Sequence, residues 1–207
     1  MTYEAHKEQY KGFTIKIMQD DDAQSPDDWD QAATIYTKHN RYFAIGKDLN
    51  KIEDEEAAEV RTGGEWLPIY AYVHSGVTIS TSAFSCPWDS GQCGFIVMSK
   101  EKIIEEYGDD TPASREKAKQ LMVGEVTSWD TYLKGEIYGY IVEDKDGEHL
   151  DSCWGYYGDY REEGGALSEA RSVAERHVKD KAKKRREKVK ALIKGKAPLH
   201  KRGEALA

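Results

Sequence analysis

Apolar and polar residues alternate in Phe13-Thr14-Ile15-Lys16-Ile17-Met18, the period of a half-buried strand. A second alternation, Ala33-Thr34-Ile35-Tyr36-Thr37, predicts another strand, and the acidic stretch from Asp20 to Asp28 between them has turn chemistry at Ser25-Pro26-Asp27. Lys51 to Arg61 has helical propensity and ends at Thr62-Gly63-Gly64. Leu67 to His74 reads as a strand with Pro68 suited to an edge, followed by a Ser75-Gly76 turn and the hairpin partner Val77 to Ser80. After a loop from Thr81 to Cys93 comes the apolar strand Gly94 to Met98. Ser99 caps a short helix that Gly108 closes, and Thr111-Pro112 opens a longer one carrying Ala118, Leu121, Met122, Glu125, Trp129, Tyr132 and Leu133. Ile137 to Val142 and His149 to Trp154 flank an Asp144-to-Gly147 turn, the clearest hairpin in the chain. A last helix starts near Leu167, with Ala170, Val173, Ala174, His177 and Val178 on one face. Beyond Val178 that stripe nearly vanishes, and Lys179 to Lys188 is a charge run suited to a solvated helical extension. Strands mixed with helices in no regular alternation predict an α+β domain over 1–178, with a mainly antiparallel sheet and flanking helices, and a basic helical or flexible tail over 179–207.

Composition narrows the class. The chain has 207 residues, 39% of them hydrophobic and 33% charged, with thirteen Tyr and five Trp, which suits a folded but polar protein. No run approaches the ~20 apolar residues of a membrane span. Met1 to His6 has neither a cationic nor an apolar leader segment, so a cytoplasmic protein is expected. Three Cys are expected to be reduced thiols rather than a disulfide framework. The net charge of −8 hides a split: twelve Lys/Arg and three Asp/Glu lie from Val178 onward, leaving a net of −17 before it. An acidic body repels nucleic acid and attracts basic surfaces, including those that ordinarily hold nucleic acid. Direct nucleic-acid binding is then left to the basic tail.

Candidate chemistry centres on the loop from Ser80 to Gly94, rich in small hydroxyl residues around one Trp. Trp88 has two readings: an interface anchor with Asp89, Ser90 and Gln92 as orienting polar groups, or a cover for the sheet beside a tight Asp89-Ser90-Gly91 turn. Ser85, Cys86, Ser90, Cys93 and His74 supply nucleophile-and-base types, yet no strand–elbow–helix spacing accompanies them. Cys86, Cys93, Cys153 and a His would make a legitimate zinc set. The six-residue separation of Cys86 and Cys93 argues against it, so no metal or cofactor is expected. Trp154, in Asp151-Ser152-Cys153-Trp154-Gly155-Tyr156-Tyr157-Gly158, is expected in core packing or protein contact, because base stacking needs a basic groove that its acidic neighbours deny. Acidic clusters at Glu101, Glu105, Glu106 and Asp109, and at Asp144 and Asp146, are candidate contacts to a basic partner. Glu101 and Glu105 fall one helical turn apart on one face.

Pro87-Trp88-Asp89-Ser90-Gly91-Gln92-x-Gly94-Phe95-Ile96 with Ser99-Lys100-Glu101-Lys102, Tyr132-Leu133-x-Gly135-Glu136-Ile137-Tyr138-Gly139-Tyr140, and the Asp151-to-Gly158 block are similar to stretches in a family of uncharacterised bacteriophage and mobile-element proteins. Members are sometimes labelled antirestriction-like. The resemblance covers roughly Ile69 to Gly158 and leaves the basic tail outside; it carries no catalytic residues. It implies an anti-defence inhibitor in the host cytoplasm. The expected partner is a host defence protein with a basic surface, a restriction or CRISPR nuclease, occluded by the acidic body with Trp88 or Trp154 as anchor. The alternatives are an enzyme acting on nucleotides or nucleic acid through the Ser/Cys-rich loop, or a nucleic-acid-binding module using the tail. The sequence sets no oligomeric state.

Overall fold

The computed structural model describes residues 3–194. In chain order the elements are β1 (Glu4–Tyr10), β2 (Phe13–Gln19), β3 (Thr34–Thr37), β4 (Lys47–Asp48), α1 (Asp54–Thr62), β5 (Gly64–Val73), β6 (Val77–Ser80), β7 (Ser90–Ser99), α2 (Lys100–Tyr107), α3 (Pro112–Lys134), β8 (Ile137–Glu143), β9 (His149–Tyr157) and α4 (Ala166–Lys194). The class is α+β and nearly every strand pairing is antiparallel. The strands are divided between two sheets, one in each of two compact units: among the described residues, 3–21 with 137–194, and 22–136.

The discontinuous unit holds a four-stranded sheet in the order β1-β2-β8-β9. The period-two pattern of β2 sends Phe13, Ile15 and Ile17 to one face, where Tyr140 and Val142 of β8 join them. The first turns of α4 close this face with Ala166, Leu167, Ala170, Val173 and Ala174, whose small side chains let the helix lie close to the sheet. Gln19 of β2 stands opposite Tyr138 of β8, and the Asp20 amide donates to the Ile137 carbonyl at 2.8 Å. The chain therefore leaves this unit and re-enters it at one point of the sheet. The strand β1 has no counterpart among the sequence expectations. Glu4 to Tyr10 is polar at nearly every position because β1 is an edge strand. Its outward groups serve α4 instead: Arg171 grips Glu8 through two hydrogen bonds of 2.8 and 2.7 Å.

The contiguous unit holds a five-stranded sheet, β4-β3-β7-β5-β6, in which only the short β3–β4 pairing is parallel. One face buries Ile35, Ile69, Ala71, Ile79, Ile96 and Met98 against Met122, Val126 and Trp129 of α3. The other buries Tyr36, Phe95 and Val97 against Ala57 and Val60 of α1. With both faces covered, β7 reads as an unbroken apolar run rather than an alternation. Gly94 is required there, because a Cβ would sit 2.0 Å from the Tyr36 carbonyl on β3. This strand also starts four residues earlier than its apolar run suggests. A bulge between Ile69 and Tyr70 lets Ser90, Gly91 and Gln92 continue the pairing with β5. Pro68 does not mark β5 as an edge: β5 lies between β7 and β6. However, β6 pairs only with Tyr70–Val73, so Pro68 occupies the stretch that β6 does not reach.

Candidate functional site

The loop between β6 and β7 ends in a turn at Pro87-Trp88-Asp89 that is fastened on three sides. The Ser90 hydroxyl donates to the Cys86 carbonyl, closing the turn. The Val73 amide donates to the Asp89 carbonyl at 2.9 Å, tying the turn to the end of β5. The Asp89 carboxylate lies 3.5 Å from Nδ1 of His74, whose ring stacks on Tyr72 with centroids 6.2 Å apart. Phe84 also packs on Tyr72, with centroids 5.8 Å apart. The turn is thus held while Trp88 itself is 91% exposed. The sheet-covering reading of Trp88 fails on this number, since an indole that covered the sheet would lose most of its accessible surface.

Three of the candidate nucleophiles around Trp88 have partners of their own. The Ser90 hydroxyl is committed to the Cys86 carbonyl, and the Cys86 thiol faces the Asp89 carboxylate at 3.9 Å. Cys93 is half-buried with its Sγ against the Ile69 carbonyl, and burial pushes its thiol up to about 11, the mark of an unreactive cysteine. Among the described residues no group of three or more His, Cys, Asp or Glu side chains is placed to hold a metal ion.

The other candidate residues divide by role. Glu101 stands in the first turn of α2, held below the usual carboxylate range by its own amide and the Ser99 hydroxyl. Glu105 and Glu106 are exposed, but Lys102 lies 3.1 and 3.9 Å from them, so the carboxylate row is part-neutralised along its length. Asp109 is tied to the start of α3: it accepts from the Ser114 hydroxyl and from the Thr111 amide and hydroxyl at 3.2 and 2.9 Å, and these donors lower its pKa. Asp144 accepts from the amides of Asp146 and Glu148 at 2.9 and 3.1 Å, which shapes the β8–β9 turn and lowers its pKa. Asp146 points outward beside Lys145, 3.7 Å away. The structure therefore brings together Trp88, Asp89 and Ser90, sets Glu101, Glu105 and Glu106 on one short helix of the same unit, and places Asp144 and Asp146 in the discontinuous unit.

Gln92 belongs to a different feature. It lines a cleft of about 300 Å³ between α1 and the sheet, with Lys38, Asp54, Arg61 and Phe95. Arg61 lies over the Trp66 and Phe95 rings, 5.6 and 5.3 Å from their centroids. Lys38 and Arg61 had no sequence signal, because three separate segments bring them to this cleft. Of the two readings of Trp154, core packing fails and protein contact is left. Trp154 is 43% exposed on the edge strand β9, its indole lying over Gly139, where an added Cβ would come within 2.3 Å of the ring. The buried tryptophan is Trp129, 3% exposed.

Charge is distributed unevenly between the units. Residues 22–136 carry 21 Asp/Glu and 11 Lys/Arg, a net of −10, whereas the rest of the chain carries 17 and 19. Comparison with protein-family models, with curated proteins and with solved structures finds no match to this chain.

Proposed function

We propose that this protein is a phage or mobile-element inhibitor that binds a host nucleic-acid-targeting defence enzyme, a restriction or CRISPR nuclease, and occludes its nucleic-acid site. The observation that carries the reading is Trp88: an indole 91% exposed on a turn fastened by Ser90, Asp89 and His74. Rigid exposed aromatics are the usual anchors of protein interfaces, since ordering them costs little entropy. The surrounding unit, at −10, is repelled by nucleic acid and drawn to a basic groove. The engaged Ser90 hydroxyl and the buried Cys93 thiol weigh against the enzymatic alternative.

Inhibition of a purified nuclease of the target class should saturate near one inhibitor per enzyme, weaken with rising salt, and fall at least tenfold in the Trp88→Ala variant, a loss at the ~1.4 kcal/mol scale of an interface anchor. Inhibition at a small fraction of the enzyme concentration, or an unchanged Trp88→Ala variant, would count against occlusion.

A further inference from the structure

Independently of that reading, we propose that the distal half of α4 is a binding arm for the phosphate backbone of a nucleic-acid duplex. The helix changes character along its length. Ala166, Leu167, Ala170, Val173 and Ala174 are buried against the sheet, which fixes the direction of the helix. From Val178 to Lys194 it continues without a break, and every residue is exposed except the partly covered Val189 and Leu192. This stretch holds nine Lys/Arg and two Asp/Glu. Lys181 folds its ammonium over the Phe13 ring, 4.9 Å from the centroid. Lys183, Lys184, Arg186, Lys188, Lys190 and Lys194 have no ion pair among the described residues.

Helical geometry orders these charges. Lys179, Lys183, Arg186, Lys190 and Lys194 fall within about 80° of arc, one per turn, along about 22 Å of axis. A regular cationic row of that length matches an extended, regular polyanion. A duplex offers one in the walls of its major groove, about 12 Å wide and able to admit a helix. An anionic membrane is a poorer match, because the apolar stripe of Val178, Ala182, Val189, Leu192 and Ile193 is narrow, lacks aromatics and is interrupted by Arg185. The chain as a whole is at −8, so bulk charge does not drive duplex binding; it has to come from this local row.

The test uses the full chain and a 20-base-pair DNA duplex of random sequence in a fluorescence-anisotropy salt series. Five phosphate contacts give a slope of about −4.5 in log K against log salt, roughly a 500-fold loss between 50 and 200 mM. The triple variant Lys183→Glu, Arg186→Glu, Lys190→Glu should lower the slope to about −2 and weaken binding more than tenfold at 50 mM. Its helicity and melting temperature should be unchanged, since all three side chains are exposed. No duplex binding at 50 mM salt, or a triple variant that binds as the parent does, overturns the proposal. So does binding only to vesicles containing phosphatidylserine, or self-association that the triple variant abolishes in a chain that ignores the duplex.

Discussion

At the scale of single residues, two tryptophans of one sequence meet opposite environments. Trp129, enclosed between α3 and the sheet, should cost about 3–5 kcal/mol when cut to alanine, as large core truncations do. Trp88→Ala should change stability by no more than about 0.5 kcal/mol, the range of exposed substitutions. Chemical denaturation of the two variants separates them, and a Trp88→Ala loss near that of Trp129→Ala would mean the turn depends on its indole. Glu125, one turn before Trp129, gives a pH signature. Its Oε1 accepts from the Ala32 and Ala33 amides at 3.0 and 3.4 Å, while its Oε2 is buried with no hydrogen-bond partner among the described residues. Burial raises its pKa above the ordinary value of 4.5. The folded state then holds the proton more tightly than the unfolded chain does, so this group's contribution to stability declines as pH rises from 4.5 through the raised folded value. Glu125→Gln keeps the acceptor and removes the charge. Urea melts from about pH 4 to pH 7 should show that decline in the parent and lose it in the variant, which should be at least as stable at the upper end. A glutamine variant weaker than the parent at neutral pH would show that the charge itself holds Ala32 and Ala33.

At the scale of elements, α3 shows how a helix start is specified. Thr111 caps it and Pro112 fills the first turn, while Asp109 fastens Thr111 and Ser114 from outside. Thr111→Ala should cost about 1 kcal/mol in a denaturant series. Because the hydroxyl donors hold the Asp109 pKa below 3.8, its contribution is present at neutral pH and is lost as pH falls through the lowered folded value. The Thr111→Ala variant should therefore lose less stability on acidification than the parent, and an equal loss would place the acid sensitivity elsewhere. Caps and periodicity of this kind made α3, α4, β2 and the β8–β9 hairpin legible in the sequence. The strand β1 was not legible, since an edge strand that shows its side chains to solvent and to charged helix residues has no apolar period to read. The early start of β7 was hidden because a bulge, which leaves no mark in composition, carries the pairing into the hydroxyl-rich segment. The Trp88 turn was visible as a motif, but its exposure was not. How far Trp88 and Trp154 are left open depends on whether an element covers that face, and residue type does not record this.

At the scale of the whole molecule, the connection between the units has a consequence for how the chain can be divided. Residues 22–136 stand between Gln19 and Tyr138, neighbours across antiparallel strands, in the place of a hairpin loop. This segment has its own sheet and its own apolar clusters on both faces, and the other unit has its own as well. Excised, 22–136 should unfold in a single cooperative transition. The remainder, with Asp20 joined to Ile137 through Asn-Gly, should keep the β2–β8 pairing, since Asn-Gly is a favoured two-residue turn between antiparallel strands. The division also separates the two proposed activities by charge. The insert takes with it a net of −10 and Trp88; the remainder, without Asp21, keeps α4 and a net of +3. The excised insert should inhibit the nuclease with the salt dependence of the full chain. The closed remainder should bind the duplex and associate faster than the full chain does, because the repulsion of the insert is gone and long-range charge acts mainly on association. Stopped-flow association of the remainder and the full chain with the same duplex at low salt measures this. Equal rates would show that the insert's charge does not reach the arm; a remainder that no longer binds would place part of the duplex site within residues 22–136.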